Sequence, residues 1–127
     1  MVDWDKITFF NRYPKLQQEL LKNVGDSVVV VFVSEEKDIP AEMLKGREIK
    51  TATGTKVKPR DSVVWIVRNI ADNKEYELWL SATNYTNLRE LAELRKQNGN
   101  KFTGLKVKIT RIAKGDPEQA NLKFEKA

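Results

Sequence analysis

The sequence predicts a mainly β, single-domain protein: a five-stranded Greek-key barrel with a helix between its third and fourth strands, preceded by an N-terminal helical extension. Three observations carry this. Residues 28–33 are an unbroken β-branched and aromatic run, Val28-Val29-Val30-Val31-Phe32-Val33. Residues 75–81 alternate with a clean period of two. The elements follow in the order strand, strand, strand, helix, strand, strand, which is the order of such a barrel.

Residues 1–26 form the extension. Trp4, Ile7, Phe9, Phe10 and Tyr13 make its first half too apolar for a free tail. Pro14 suits a first helical turn, Leu16, Leu20 and Leu21 recur at helical spacing, and Gly25 is a stop, so a short helix is expected at about 14–23. The first strand spans 27–34, apolar throughout, and both of its faces should be covered. Residues 35–61, with Pro40, Gly46, Gly54 and Pro59, are a long basic loop holding a short helix or hairpin.

The second strand is Ser62 to Ile70, and Asp72-Asn73 turns it into the third, Lys74 to Ser81. Tyr76, Leu78 and Leu80 take the core face, which leaves Glu75, Glu77, Trp79 and Ser81 facing solvent. Asn84 caps a helix whose apolar face is Tyr85, Leu88, Leu91, Ala92 and Leu94, and Asn98-Gly99 ends it. The fourth strand covers about 102–113, with Leu105, Val107 and Ile109 inward and Lys106, Lys108 and Thr110 outward. After the turn at Gly115-Asp116-Pro117 comes a short fifth strand with Leu122 and Phe124 inward.

A length of 127 residues, 40% hydrophobic and 32% charged, describes one folded domain with a real core. No apolar run reaches the roughly 18 residues of a membrane span. Acidic residues stand where a secretory signal would carry basic ones, so a cytoplasmic protein is expected, or one of the host cytoplasm if viral. There is no Cys and no His, which rules out disulfides, thiolate nucleophiles, Cys/His zinc sites and imidazole catalysis. The acids are scattered among lysines without a motif, and no serine has a basic partner in view. No enzyme activity and no cofactor are expected. Thr51-Ala52-Thr53-Gly54-Thr55-Lys56 lacks the spacing and following helix of a phosphate-binding loop.

The net charge is +5, but its distribution says more. Residues 44–60 carry Lys45, Arg47, Lys50, Lys56, Lys58 and Arg60 against Glu48 alone. Residues 101–114 carry Lys101, Lys106, Lys108, Arg111 and Lys114 and no acid. These strips sum to +10, so the remaining residues sum to −5. A mildly acidic body with two basic strips suits a polyanionic partner.

The second half of the chain, about 62–126, resembles the small OB-fold single-stranded DNA-binding proteins of phages and other mobile elements. The resemblance runs through Val64-Trp65-Ile66-Val67-Arg68, Glu77-Leu78-Trp79-Leu80-Ser81 and Leu88 to Leu94. It continues through Gly104-Leu105-Lys106-Val107-Lys108-Ile109-Thr110-Arg111 and a last strand after Gly115. It is one of strand types and spacings. It implies an OB-type barrel and sequence-tolerant binding of single strands in replication, recombination or repair.

Such binding needs a basic groove for phosphates and rings that stack on bases. Trp79, on the expected solvent face, is a candidate stacker; the other reading packs it under the N-terminal segment. Trp65 depends on parity: if Asn69 points outward so does Trp65, and if Arg68 does, Trp65 is core. Lys56, Lys58 and Arg60 alternate before the second strand and, with Lys50 and Arg68, are candidate phosphate contacts. Lys106 and Lys108 face outward, as phosphate contacts or as guards against edge pairing. Arg111 falls on the inward parity, either displaced by a bulge or paired. The expected partner is single-stranded DNA. RNA is the near alternative, and a partner protein on exposed aromatics is the alternative from another class.

Overall fold

The computed structural model describes residues 13–127. Trp4 and the other apolar residues of 1–12 lie outside the described residues. The elements are α1 (Leu16–Leu20), β1 (Ser27–Phe32), β2 (Lys37–Ile39), a 3-10 turn (Ala41–Leu44), β3 (Ser62–Asn69), β4 (Glu75–Ser81), α2 (Tyr85–Gln97), β5 (Lys106–Arg111) and β6 (Leu122–Lys126). Among the described residues the fold is mainly β, with one open antiparallel sheet of six strands and two helices.

The sheet runs β4-β3-β1-β5-β6, and β2 joins it on β3. β1 and β2 lie along the same edge of β3. Phe32 faces Val67 and Lys37 faces Val64, so five steps of one track are set against three of the other. The surplus forms a bulge: the Val33 and Ser34 N–H groups both donate to the Ile66 carbonyl. The Ser34 hydroxyl accepts the Ile66 N–H at 2.9 Å. The expected first strand is found as β1, two residues shorter, and beyond the kink the start of the expected loop is sheet, β2.

The expected closed barrel needs a ladder between the third and fifth strands of its kind, here β4 and β6. Among the described residues no such ladder forms. The edge of β4 takes a parallel bridge from Lys15 to Glu77, and the Glu77 N–H donates to the Pro14 carbonyl. At its other end the Ser81 N–H donates to the Glu118 carbonyl. Chain segments that occupy this edge leave β6 no place on it.

One hydrophobic cluster fills the inner face, with Val30, Phe32, Trp65, Leu78, Val107 and Ile109 among its members. Phe32, Trp65 and Phe102 meet as rings with centroids 5.3–6.0 Å apart. Tyr76, Leu78 and Leu80 are buried as the period of two requires. A second, smaller cluster of Ile39, Leu44, Val64, Ile66 and Trp79 lies on the other face of β3 and β4, with Tyr13, Met43 and Ile49 against it.

α2 keeps Leu88, Leu91 and Leu94 of its expected face against the core and departs from it at Tyr85 and Ala92. Asn84, Asn87, Leu91 and Leu94 are buried, whereas Tyr85 is 66% exposed and Ala92 faces solvent. The spacing 84, 87, 91, 94 is one helical stripe. Two of its members are polar because they bond the sheet and loop. Asn84 Oδ1 accepts the Asn87 N–H, Asn84 Nδ2 donates to the Glu118 carbonyl, and Asn87 Nδ2 donates to the Leu122 carbonyl at 2.7 Å. α1 is a single five-residue turn, shorter than the expected 14–23. β5 begins at 106 rather than 102, because the Phe102 and Thr103 N–H groups donate to the Glu35 carboxylate instead of a neighbouring strand. No helix of the described residues is long and apolar enough to cross a membrane.

Candidate nucleic-acid interface

The two faces of the sheet's outer side differ in what covers them. Over β3 and β4, the segment that follows β2 folds back and seals Val64, Ile66 and Trp79 beneath Ile39, Leu44 and their neighbours. Among the described residues nothing covers the outer face of β1, β5 and β6, where Lys106, Lys108, Lys123 and Glu125 are exposed. Register puts Arg68, Val31 and Lys106 in one row across β3, β1 and β5. The next row holds Val29, Lys108 and Glu125, and a third holds Ser27, Thr110 and Lys123. Lys106, Lys108 and Lys123 are exposed, while Val29 and Val31 are half-buried between their neighbours. At about 4.8 Å between strands, Arg68 and Lys106 stand roughly 10 Å apart. Arg68 keeps one carboxylate partner, Glu75 at 3.3 Å, and is itself half-buried.

β5 pairs on both sides, with β1 and with β6. Lysines that guard an edge belong on edge strands, so the guarding reading of Lys106 and Lys108 loses its basis.

The tryptophans are where the expectation needs correcting. Arg68 points outward and Asn69 is buried, so parity sends Trp65 into the core, where it is 1% exposed. Trp79 does lie on the outer face of β4, but it is 6% exposed, not solvent-facing. Its indole N–H donates to the Glu77 carboxylate at 2.9 Å, its backbone carbonyl accepts from Gln17 Nε2, and the Lys15 ammonium sits 5.1 Å from its ring centroid. The cover comes from α1 and from the folded 39–49 segment together. Glu77, expected outside, is 1% exposed for the same reason and also accepts the Tyr13 N–H.

Arg111 is likewise internal, at 8% exposure. Its guanidinium donates to the carbonyls of Leu21, Lys22, Ala113 and Gly115, tying the end of α1 to the loop after β5. The inward parity is correct and the pairing is with backbone carbonyls, so Arg111 ties the fold together rather than facing a ligand.

Two cations of the 44–60 strip, Lys50 and Lys56, meet at a hairpin. Lys50 and Lys56 form an isolated antiparallel bridge, the Thr51 N–H donates to the Thr55 carbonyl, and Gly54 takes φ +86°, the left-handed turn position a glycine fills without strain. Glu48 lies 3.6 Å from Lys50 and 3.5 Å from Lys56, exposed pairs of small energetic weight. Lys58 is exposed and Arg60 half-buried. The structure therefore unites Lys50 with Lys56 at the hairpin, and Arg68 with Lys106 and Lys108 on the sheet. Among the described residues no hydrogen bond or ion pair links the two groups.

Lys123 completes the sheet face and was readable from its place between the inward Leu122 and Phe124. The buried acids Glu77 and Glu118 were not, since nothing in a charged residue's neighbours announces burial. Burial pushes the Glu118 carboxyl above its usual range, against the opposing pull of Lys15. Glu35 moves the other way. Its partial burial is outweighed by hydrogen bonds from Thr103 and Phe102 and by nearby Arg95, so its carboxyl is lowered. Among the described residues no cluster of three or more acids could hold a metal ion. Comparison with protein-family models, with curated proteins and with solved structures finds no match.

Proposed function

We propose that the protein binds single-stranded nucleic acid along the open outer face of β1, β5 and β6, chiefly by phosphate neutralisation. The observation that carries this is the set of exposed Lys106, Lys108 and Lys123 with half-buried Arg68, in adjacent rows of one sheet face with β5 at its centre. Cations fixed on a rigid sheet can follow a phosphate backbone without reading its sequence. Val29 and Val31 between them give the sugar or base edges an apolar floor.

The order β4-β3-β1-β5-β6 is how a five-stranded Greek-key barrel of the OB type reads when unrolled, and we take the sheet as an open relative of that barrel. The likeness to small single-stranded DNA-binding proteins of mobile elements supports the same reading, with a role in replication, recombination or repair. Stacking on Trp65 and Trp79 is left out of it, because both rings are buried.

The test is fluorescence anisotropy of labelled oligothymidine, the matching RNA and a duplex, each at a series of salt concentrations. Binding should weaken linearly in log salt, by about 0.7 per phosphate neutralised on a single strand. Changing Lys106, Lys108 and Lys123 together to Ala should flatten that slope by about 2. A parent that binds none of the three, or a triple variant with the parent's slope, would overturn the proposal. Preference between the DNA and RNA strands decides which is the partner.

A further inference from the structure

Behind the nucleic-acid face, between β2, β3 and α2, lies a cavity of about 350 Å³. Its walls are apolar and aromatic: Val63 and Trp65 from β3, Leu91 from α2, and Phe102. Its rim is charged, with Glu36 and Asp38 on one side and Arg95 on the other. Asp38 stands opposite Val63 in the β2–β3 register, on the inner side of β2, and Glu36, just before β2, lines the same opening. Among the described residues neither acid has an ion-pair partner.

Two of the lining residues carry buried donors without acceptors. The Trp65 indole N–H and the Arg95 Nε–H are both shielded from solvent and unbonded among the described residues. Buried donors are bonded in the great majority of native structures, and each exception asks for a partner. Arg95 lies over the Phe102 ring, 5.8 Å from its centroid. The nearby Glu35 carboxylate is held by the Phe102 and Thr103 N–H groups. With Glu36 and Asp38 set against Arg95 alone, the rim carries two acids to one cation and is net negative.

We infer that this cavity is a docking site for a partner protein, taking one large apolar side chain from a segment that carries Lys or Arg on both sides of it. The walls supply apolar area, the rim acids match the flanking cations, and backbone carbonyls of the segment are acceptors for the orphaned donors. A nucleic acid strand fits less well, since its phosphates would approach Glu36 and Asp38. The site is separate from the proposed phosphate-binding face and does not depend on it.

The test is an NMR titration of the ¹⁵N-labelled full chain, following the Trp65 indole resonance, assigned with Trp65→Phe. The probes are acetyl-Arg-Leu-Arg-amide, acetyl-Arg-Ala-Arg-amide, acetyl-Glu-Leu-Glu-amide and oligothymidine. The Arg-Leu-Arg peptide should move the Trp65 signal and bind at least tenfold tighter than the Ala peptide, the scale of one buried Leu. The Glu-flanked peptide should bind more weakly than its Arg counterpart. Glu36→Gln with Asp38→Asn should weaken the Arg-Leu-Arg peptide about threefold to tenfold, as exposed pairs do. Ala92→Trp, at an exposed position lining the cavity, should block it without unfolding the chain. No shift at millimolar peptide, equal response to the Leu and Ala peptides, or a Trp65 signal that follows oligothymidine alone would each overturn the inference. The last outcome would make the cavity a nucleobase site.

Discussion

Lys15 and Glu118 meet at 2.7 Å between the two ends of the sheet. Lys15 belongs to the segment that bridges onto β4, and Glu118 to the loop that leads into β6. Both side chains are largely buried, and the Lys15 ammonium also donates to the Lys50 carbonyl at 3.0 Å. Where a closed barrel would have a strand ladder, this chain has a buried ion pair flanked by backbone bonds. The pair ties the N-terminal segment, the basic hairpin and the approach to β6 to one another.

Removing one member of a buried pair leaves the other charged and unsolvated, which costs about 3 kcal/mol or more. Lys15→Met should therefore lower stability by about that amount in urea unfolding, and Lys15→Met with Glu118→Leu should recover most of it. The pH dependence follows from Glu118. Its carboxyl is raised by burial above the ordinary value of 4.5, so the folded state holds that proton more tightly than the unfolded state does. The stability it contributes is present below 4.5 and is lost as pH rises through the raised value. Glu118→Gln should remove that decline. An unchanged pH profile in Glu118→Gln would assign it to another group.

Trp79 gives the second prediction. Its ring is enclosed by Val64, Ile66, Ile39 and Leu44, and its N–H satisfies the buried Glu77. Trp79→Ala should cost about 3–5 kcal/mol in stability, the usual range for a buried large aromatic. Trp79→Phe should also destabilise, because Glu77 then loses a donor inside the protein. Oligothymidine affinity, measured where both variants remain folded, should stay near the parent's. A Trp79→Ala chain that keeps its urea midpoint but loses binding would return Trp79 to the role of a stacking platform.

β1, β3 to β6 and the extent of α2 were readable because their periodicity is a local property, whereas β2, in a segment of weak periodicity, was not. The run at 28–33, the alternation at 75–81 and the cap at Asn84 each act within a few residues. The inward parity of Leu105, Val107 and Ile109 was readable for the same reason. The fate of the outer face of β4 was not, since Trp79 is buried by Ile39 and Leu44, which come from a segment with weak periodicity and high charge. Alternation tells which side of a sheet a residue takes, and not whether that side is wet. Barrel closure was out of reach likewise. It depends on whether β4 meets β6 or instead meets Lys15 and Glu118, a competition between segments far apart in sequence.

Tyr76 donates its hydroxyl to Asp72 at 2.6 Å across the β3–β4 turn. That bond, with burial and the nearby carboxylate charge, raises the phenol to about 12, and it holds Asp72 below its ordinary range. Ultraviolet titration of the folded protein should show one tyrosine ionising about two units later than an ordinary phenol near 10. Tyr76→Phe should delete that late step. The stability carried by this phenol is complete below about 10 and falls as pH rises through about 12. A late step that survives Tyr76→Phe would belong to another tyrosine.

Arg111 and Lys108 sit on one strand with opposite parities, and they should separate fold from function. Arg111 is buried and bonded to four backbone carbonyls, whereas Lys108 is exposed on the open face beside Val29. Arg111→Ala strands those carbonyls and should lower stability by about 3 kcal/mol, the sum of several lost charge-assisted bonds offset by water entering the site. Its salt slope for oligothymidine, in the folded protein, should match the parent's. Lys108→Ala should leave the urea midpoint within about 0.5 kcal/mol of the parent, as exposed substitutions do, and should flatten the salt slope by about 0.7. The two variants together form a crossed control. If Arg111→Ala flattens the slope while the chain is folded, the guanidinium reaches phosphate, and the phosphate-binding surface extends around β5 to its inner side. If Lys108→Ala leaves the slope untouched, the strand passes elsewhere, and the hairpin cations Lys50 and Lys56 become the place to look.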